Sequence, residues 1–236
     1  ENTMSAFTAS VELGYDCIEL DPNVTSDGKI VVLHDDTVNR TSRNKDGTKL
    51  ENEIRVSDFS YEELTEYDFG IWFSEKFTGE RLPLLLDALE LAAKTGILIK
   101  IDSKFAKFNS KIQDKLFKMT EESGANIAFT CNSPEIIELV RRNAPSAAIH
   151  YDGAVNEETV QRVVSASEGS KLVIWLPYRC ELTSWVQIPF ADEELCAMVK
   201  KYAQLGLWIL STEKQLDEAK RWKVDYVETT GAIKPQ

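Results

Sequence analysis

The chain has 236 residues, with 27 basic and 39 acidic side chains and a formal charge of −12. That length admits one or two domains, and a single α/β barrel commonly runs to about 250 residues. Hydrophobic residues make up 43%, enough for a core and too many for a disordered chain. The negative charge argues against nucleic acid and anionic membrane surfaces as partners, and no apolar run is long enough for a transmembrane helix.

The predicted elements alternate strand and helix. Glu1-Asn2-Thr3 leads into a helical pattern carrying Met4, Phe7, Val11 and Leu13. Buried strands are predicted at Cys17–Leu20, Ile30–Leu33, Ile97–Ile101, Ile127–Cys131, Ala147–Ile149, Leu172–Leu176, Leu207–Leu210 and Tyr226-Val227. Helical segments at Leu84–Ala93, Ile112–Met119, Pro134–Arg142, Glu157–Val164, Glu193–Tyr202 and Lys214–Arg221 lie between them. Gly14, Gly96, Gly124 and Gly206 each follow a helix and precede a strand, the position of a C-cap. Strand–helix units with short returns imply a parallel sheet covered by helices. Eight such strands favour a (β/α)8 TIM-type barrel over an open sheet, and no Gly-x-Gly-x-x-Gly follows the first strand to suggest a dinucleotide fold.

Two stretches break the repeat. Glu19 and His34 are too close for a helix between them, and Ser26-Asp27-Gly28 signals a turn, so a hairpin is expected with Asp21 roughly opposite His34. Residues 36–80 then form a polar insertion with scattered aromatics, among them Tyr67, Phe69, Trp72, Phe73 and Phe77. With no linker or repeat, residues 1–236 read as one domain. Cys17, Cys131, Cys180 and Cys196 have no C-x-x-C spacing, which argues against a zinc site. A Cys180–Cys196 disulfide stays open.

On this fold the chemistry sits at strand C-terminal ends. Glu19 and Asp21 are two residues apart and point to one side. With Asp102 from another strand they form a hard-oxygen set suited to Mg²⁺ or Ca²⁺. Lys104, two residues further on, would face the same way and could hold a phosphate or form a salt bridge. His34 alone stands between a catalytic base and a structural residue. His150 reads as structural or exposed, and Trp208 in its strand reads as core before substrate platform.

Glu1-Asn2-Thr3, Ile18-Glu19-Leu20-Asp21, Asp27-Gly28, His34-Asp35 and Arg40-Thr41 resemble the P-E-N-T, I-E-x-D and H-D segments of the glycerophosphodiester phosphodiesterase family. Gly70, Trp72-Phe73, Gly79, Leu82-Pro83 and Ile101-Asp102-Ser103-Lys104 extend the likeness, with Asp102 where the family has Glu. Trp208 stands where the family has W-T-V-N. The resemblance implies a TIM-type barrel of the PLC-like phosphodiesterase kind, which hydrolyses glycerophosphodiesters to an alcohol and glycerol 3-phosphate through a cyclic phosphate. It implies a divalent metal, Ca²⁺ or Mg²⁺, on Glu19, Asp21 and Asp102. It implies His34 and Lys104 as catalytic residues, and Glu1, Lys104 and Trp208 as substrate contacts.

The family's H-R-G precedes P-E-N-T, and this sequence begins at Glu1. The expectation is a chain lacking the first barrel strand, one histidine and one arginine, weakly active or inactive alone although its parent is an enzyme. Two further readings stand beside it. One is lysophospholipase D-like action on lipids, with the aromatic insertion as an apolar wall. The other is a non-catalytic barrel that binds a phosphodiester or a partner. A glycosidase built on Glu19 and Asp102 would leave His34 and Lys104 unexplained. Oligomeric state, head group and compartment stay open.

Overall fold

The computed structural model describes residues 1–231 and 233–235. The chain forms two compact units, Glu1–Ile127 and Ala128–Gln236.

The first unit opens with helix α1, Met4–Glu12, whose N-terminus is capped by Thr3: its hydroxyl oxygen accepts the Ala6 N–H at 3.2 Å. Strand β1, Cys17–Leu20, follows. The chain then turns back on itself rather than entering a helix. Strands β2, Pro22–Val24, and β3, Ile30–Val32, form the expected antiparallel hairpin. Its register sets Pro22 against Val32, and the Leu33 N–H donates to the Asp21 carbonyl at 2.9 Å. Asp21 therefore lies opposite Leu33, one residue short of His34. Because β3 pairs in this hairpin, Ile30–Val32 is not one of the parallel strands counted from sequence.

The insertion is ordered around a small core of its own. Val31, Leu33, Val38, Val56, Leu64, Phe69 and Leu82 are buried together. Strands β4, Arg43–Asn44, and β5, Tyr67–Asp68, pair antiparallel within it, and the short helix α2, Tyr61–Leu64, carries a Ser60/Glu63 capping box. Asp68 holds the far end together: its carboxylate accepts the N–H groups of Gly70 at 2.8 Å, Ile71 at 2.9 Å and Gly79 at 2.5 Å. Burial raises the Asp68 pKa, but those three bonds outweigh it and the value falls below the ordinary carboxylate range. The aromatics divide: Phe69 is core, whereas Phe73 is 70% exposed. Helix α3, Leu85–Thr95, leads into β6, Leu98–Ile101, which runs parallel to β1 with Leu20 beside Ile101. Helix α4, Ser110–Ser123, closes the unit. Gly96 and Gly124 end α3 and α4 at φ 78° and 67°, as their placement predicted.

The second unit repeats strand and helix four times. Strands β7 (Ile127–Cys131), β8 (Ala148–Tyr151), β9 (Leu172–Pro177), β10 (Gln204–Leu210) and β11 (Tyr226–Thr229) pair in that order, all parallel. Helices α5 (Pro134–Asn143), α6 (Glu157–Ala166), α7 (Glu193–Val199) and α8 (Glu213–Arg221) make the crossovers. Parallel neighbours need such connections. Ser133, Asn156, Asp192 and Thr212 cap the four helices. Gly206 is not a cap: it lies inside β10, where an added Cβ would collide with the Trp175 ring. Cys17, Cys131, Cys180 and Cys196 are all free thiols.

Candidate active site

The parallel register of β1 and β6 brings their C-terminal ends together. The Asp102 N–H donates to the Leu20 carbonyl at 2.9 Å. Glu19, Asp21 and Asp102 then each offer a carboxylate oxygen, all within 4.8 Å of one another. Asp21 is buried and the other two are half-buried. Two unit charges ~4 Å apart repel by roughly 1 kcal/mol in water and ~4 kcal/mol at an effective dielectric of 20. Such a cluster needs positive charge.

The residues fit a divalent ion. Oxygens bound to a common Ca²⁺ at ~2.3–2.6 Å lie no more than ~5 Å apart, and those around Mg²⁺ no more than ~4.2 Å. The donors are all hard oxygens, the set both ions prefer.

Lys104 supplies one positive charge from the protein itself. Its ammonium donates to Asp21 Oδ1 at 2.6 Å and to the His34 carbonyl at 2.5 Å. The route differs from strand alternation. Strand β6 ends at Ile101, and Asp102 caps a 3-10 turn over Ser103–Lys107, its Oδ1 accepting the Lys104 N–H at 2.9 Å. That turn swings Lys104 onto Asp21 rather than into a salt bridge with Asp102. The other oxygen of Asp21 accepts the Asn2 side-chain amide at 2.8 Å. Asn2 adopts φ 50°, a left-handed conformation that asparagine tolerates better than most residues.

His34 lies beside this cluster. Its Nδ1 is 2.7 Å from Asp35 Oδ1. Arg40 approaches the same carboxylate from the other side, Nε to Oδ2 at 2.7 Å and Nη2 to Oδ1 at 3.0 Å, and also binds Glu1. The Arg40 hydrogen bonds are the main reason Asp35 falls to about 2; burial opposes them and His34 adds to them. Hydrogen bonding to Arg40 likewise lowers the Glu1 pKa.

Of the site residues read from sequence, Glu19, Asp21, Asp102, Lys104, His34 and Glu1 all fall in the first unit and are linked as described. Trp208 belongs to the second unit, on β10, where its ring centroid is 6.2 Å from that of Trp185. His150 is buried on β8 against Trp175 and Tyr226, in line with a structural role. Two members were not picked out from sequence. Arg40 was read only as part of a motif, because a five-residue separation from Asp35 has no helical or strand meaning. Lys100, buried and beside Glu19 in the β1–β6 register, was hidden inside an apolar strand.

These features define a class: an α/β chain whose parallel strand ends gather carboxylates, with an ammonium and an imidazole alongside. The family model described as "Glycerophosphoryl diester phosphodiesterase family" matches residues 1–173, and the chain belongs to that family. A glycerophosphodiester phosphodiesterase of Caldanaerobacter subterraneus subsp. tengcongensis is 43% identical over 123 residues, which is 52% of this chain and 47% of the relative. The chain thus spans about half the length of that curated relative. Among solved structures, an Oleispira antarctica phosphodiesterase in complex with the product sn-glycerol-3-phosphate superposes with a TM-score of 0.74 at 18% identity, over 97% of this chain and 87% of that one. A glycerophosphoryl diester phosphodiesterase from Parabacteroides distasonis gives a TM-score of 0.73 at 19% identity, over 97% and 77%. The fold is the TIM-type α/β kind expected from the strand–helix repeat.

Proposed function

We propose that this chain, read as one domain over residues 1–236, is the catalytic portion of an enzyme that hydrolyses glycerophosphodiesters to an alcohol and sn-glycerol 3-phosphate. The observation that carries this reading is the convergence of Glu19, Asp21 and Asp102 within 4.8 Å, with Lys104 bonded to Asp21. Those three carboxylates would hold Ca²⁺ or Mg²⁺, and the bound ion would neutralise phosphate oxygens.

The chain's own residues divide the remaining work. The Lys104 ammonium has three N–H donors. Two are engaged by Asp21 and His34, and the third serves a phosphate oxygen, where it stabilises developing negative charge. His34 takes the proton of the glycerol 2-hydroxyl as that oxygen attacks phosphorus. The bond from phosphorus to the alcohol breaks; a water molecule gives the departing oxygen a proton, and His34 returns the one it took to solvent. Water then opens the cyclic diester, its hydroxyl joining phosphorus and its proton returning to the 2-oxygen. Glu1 and Trp208 are assigned to substrate contact by resemblance. His34 is the one histidine in residues 1–127, so the 236-residue chain alone is expected to turn over weakly.

A second reading, lipid diesters as substrates, draws on Phe73, which is exposed and flanked by the rings of Trp72 and Phe77, each 5.9 Å away. The test is release of glycerol 3-phosphate from glycerophosphocholine, with and without EDTA. It is run on this polypeptide and on a version carrying the family's H-R-G ahead of Glu1, with lysophosphatidylcholine as a parallel substrate. EDTA-sensitive product from either version supports the diesterase reading, and a preference for the lysolipid selects the second. No product from either folded protein with Mg²⁺ and Ca²⁺ present overturns both.

A further inference from the structure

We propose that Asp35 is a positioning residue that fixes the tautomer and orientation of His34, and that Arg40 in turn holds Asp35. This deepens the functional reading above and rests on it only for the role of His34.

The argument begins with exposure. The His34 side chain is 60% exposed, so packing does not set its ring. An isolated ion pair at such a surface orders little. Here the order comes from a chain of bonds. Arg40 grips the Asp35 carboxylate with two donors, a planar fork that matches the carboxylate geometry. Nη2, one of those two donors, also donates to Glu1 Oε1, which holds the guanidinium in place. The Asp35 main chain is fixed independently, its carbonyl accepting the Asn23 side-chain amide at 3.0 Å. The neighbouring backbone is stitched to the insertion by the Val56 N–H to the Asp36 carbonyl and the Val38 N–H to the Ile54 carbonyl, both 3.0 Å. Lys104 pins the His34 carbonyl.

An ionised carboxylate only accepts hydrogen bonds. The 2.7 Å contact therefore requires the proton on Nδ1. In the neutral ring this leaves the lone pair on Nε2, the atom turned away from Asp35 and able to take a substrate proton. A free histidine side chain in water favours the opposite tautomer, with the proton on Nε2, so the preference has to come from the protein. The low pKa of Asp35 keeps the acceptor ionised wherever the imidazole is neutral.

The chain has only two histidines, so its imidazole nitrogens can be read directly by long-range ¹⁵N–¹H correlation, with His34→Gln giving the assignment. At alkaline pH the expected His34 pattern is a protonated Nδ1 and an unprotonated Nε2. In Asp35→Ala it should move to the pattern of a free histidine side chain, while the backbone amide signals of the first unit, residues 1–127, keep their native dispersion and show that it is still folded. Arg40→Lys, which keeps the charge but loses the fork, should give an intermediate pattern. In a turnover-competent form, Asp35→Ala should lower kcat by less than the ~10²–10⁴-fold that acid–base catalysis as a whole supplies, with KM moved little. A wild-type ring that carries its proton on Nε2, or one whose pattern is unchanged in both variants, would overturn the proposal. The spectra do not depend on turnover, so a chain with no diesterase activity but the expected tautomer would refute the functional reading and leave this one standing.

Discussion

The ammonium of Lys104 lies 2.6 Å from Oδ1 of Asp21, whose side chain is only 8% exposed. Lys104 is therefore a counter-charge built into the carboxylate cluster, and a divalent cation entering the cluster meets it as a competitor. Removing it should have two opposite effects. Lys104→Met should bind Ca²⁺ about tenfold more tightly, the ~1.4 kcal/mol lying within the range for one charge at this distance. Without the cation it should be less stable by ~1–3 kcal/mol, the cost of a buried group losing its partner. Calorimetric titration and urea melts read the two separately. Weaker Ca²⁺ binding in the variant would show that Lys104 orders the site more than it opposes the ion.

Cation binding should also stabilise the folded chain. At a concentration ~100 times Kd, Ca²⁺ or Mg²⁺ should add ~2.7 kcal/mol, seen as a rise in Tm reversed by EDTA. Glu19→Gln and Asp102→Asn should each remove most of that rise. An undiminished rise in both variants would place the ion elsewhere.

Acid should expose the Asp35 network. The folded-state value is about 2, set first by Arg40, against ~3.9 for an ordinary aspartate. A depressed carboxylate adds stability above the unfolded value and loses it as pH falls through the folded one. Tm of the wild type should therefore drop more steeply between pH 4 and 2 than that of Asp35→Asn. The difference should be small, because the group is partly exposed and screened by solvent. Parallel curves would contradict the assignment.

Asp68 should matter to the insertion alone. Asp68→Ala leaves the N–H groups of Gly70, Ile71 and Gly79 without their acceptor, and bonds to a charged group are worth ~1.5–3 kcal/mol each. Hydrogen exchange should quicken across residues 69–80, with Ca²⁺ affinity at the carboxylate cluster unchanged. Protection equal to wild type there would show that the small core holds the segment without Asp68.

Much of the fold was legible because its signals are local. Cys17–Leu20 and Ile127–Cys131 are apolar runs bounded by turn residues, and both strands begin and end where the runs do. The hairpin was legible, but its register was not. The Thr25 N–H bonds the Lys29 carbonyl, and that loop length centres the pairing on Asp27 and puts Leu33, not His34, opposite Asp21. The three carboxylates could be named from their strand-end positions. Lys104 was named on the wrong ground: strand alternation stops at Ile101, and only the Asp102 cap explains where its side chain goes. Arg40 escaped because its partners, Asp35 and Glu1, lie on either side of a folded loop and share no period with it.

The tie between Lys104 and Asp21 joins positions 83 residues apart. Glu19 and Asp21 are covalent near-neighbours, but Asp102 reaches them only after the hairpin, the insertion and α3 have been looped out and β6 has docked on β1. Closing so long a loop is slow relative to making local turns. The hairpin and the helices can assemble before any ion-binding site exists. A luminescent lanthanide added during refolding would accordingly stay dark through those steps and light only when β6 seats, which makes the acidic cluster a clock for the closure that docks β6 on β1.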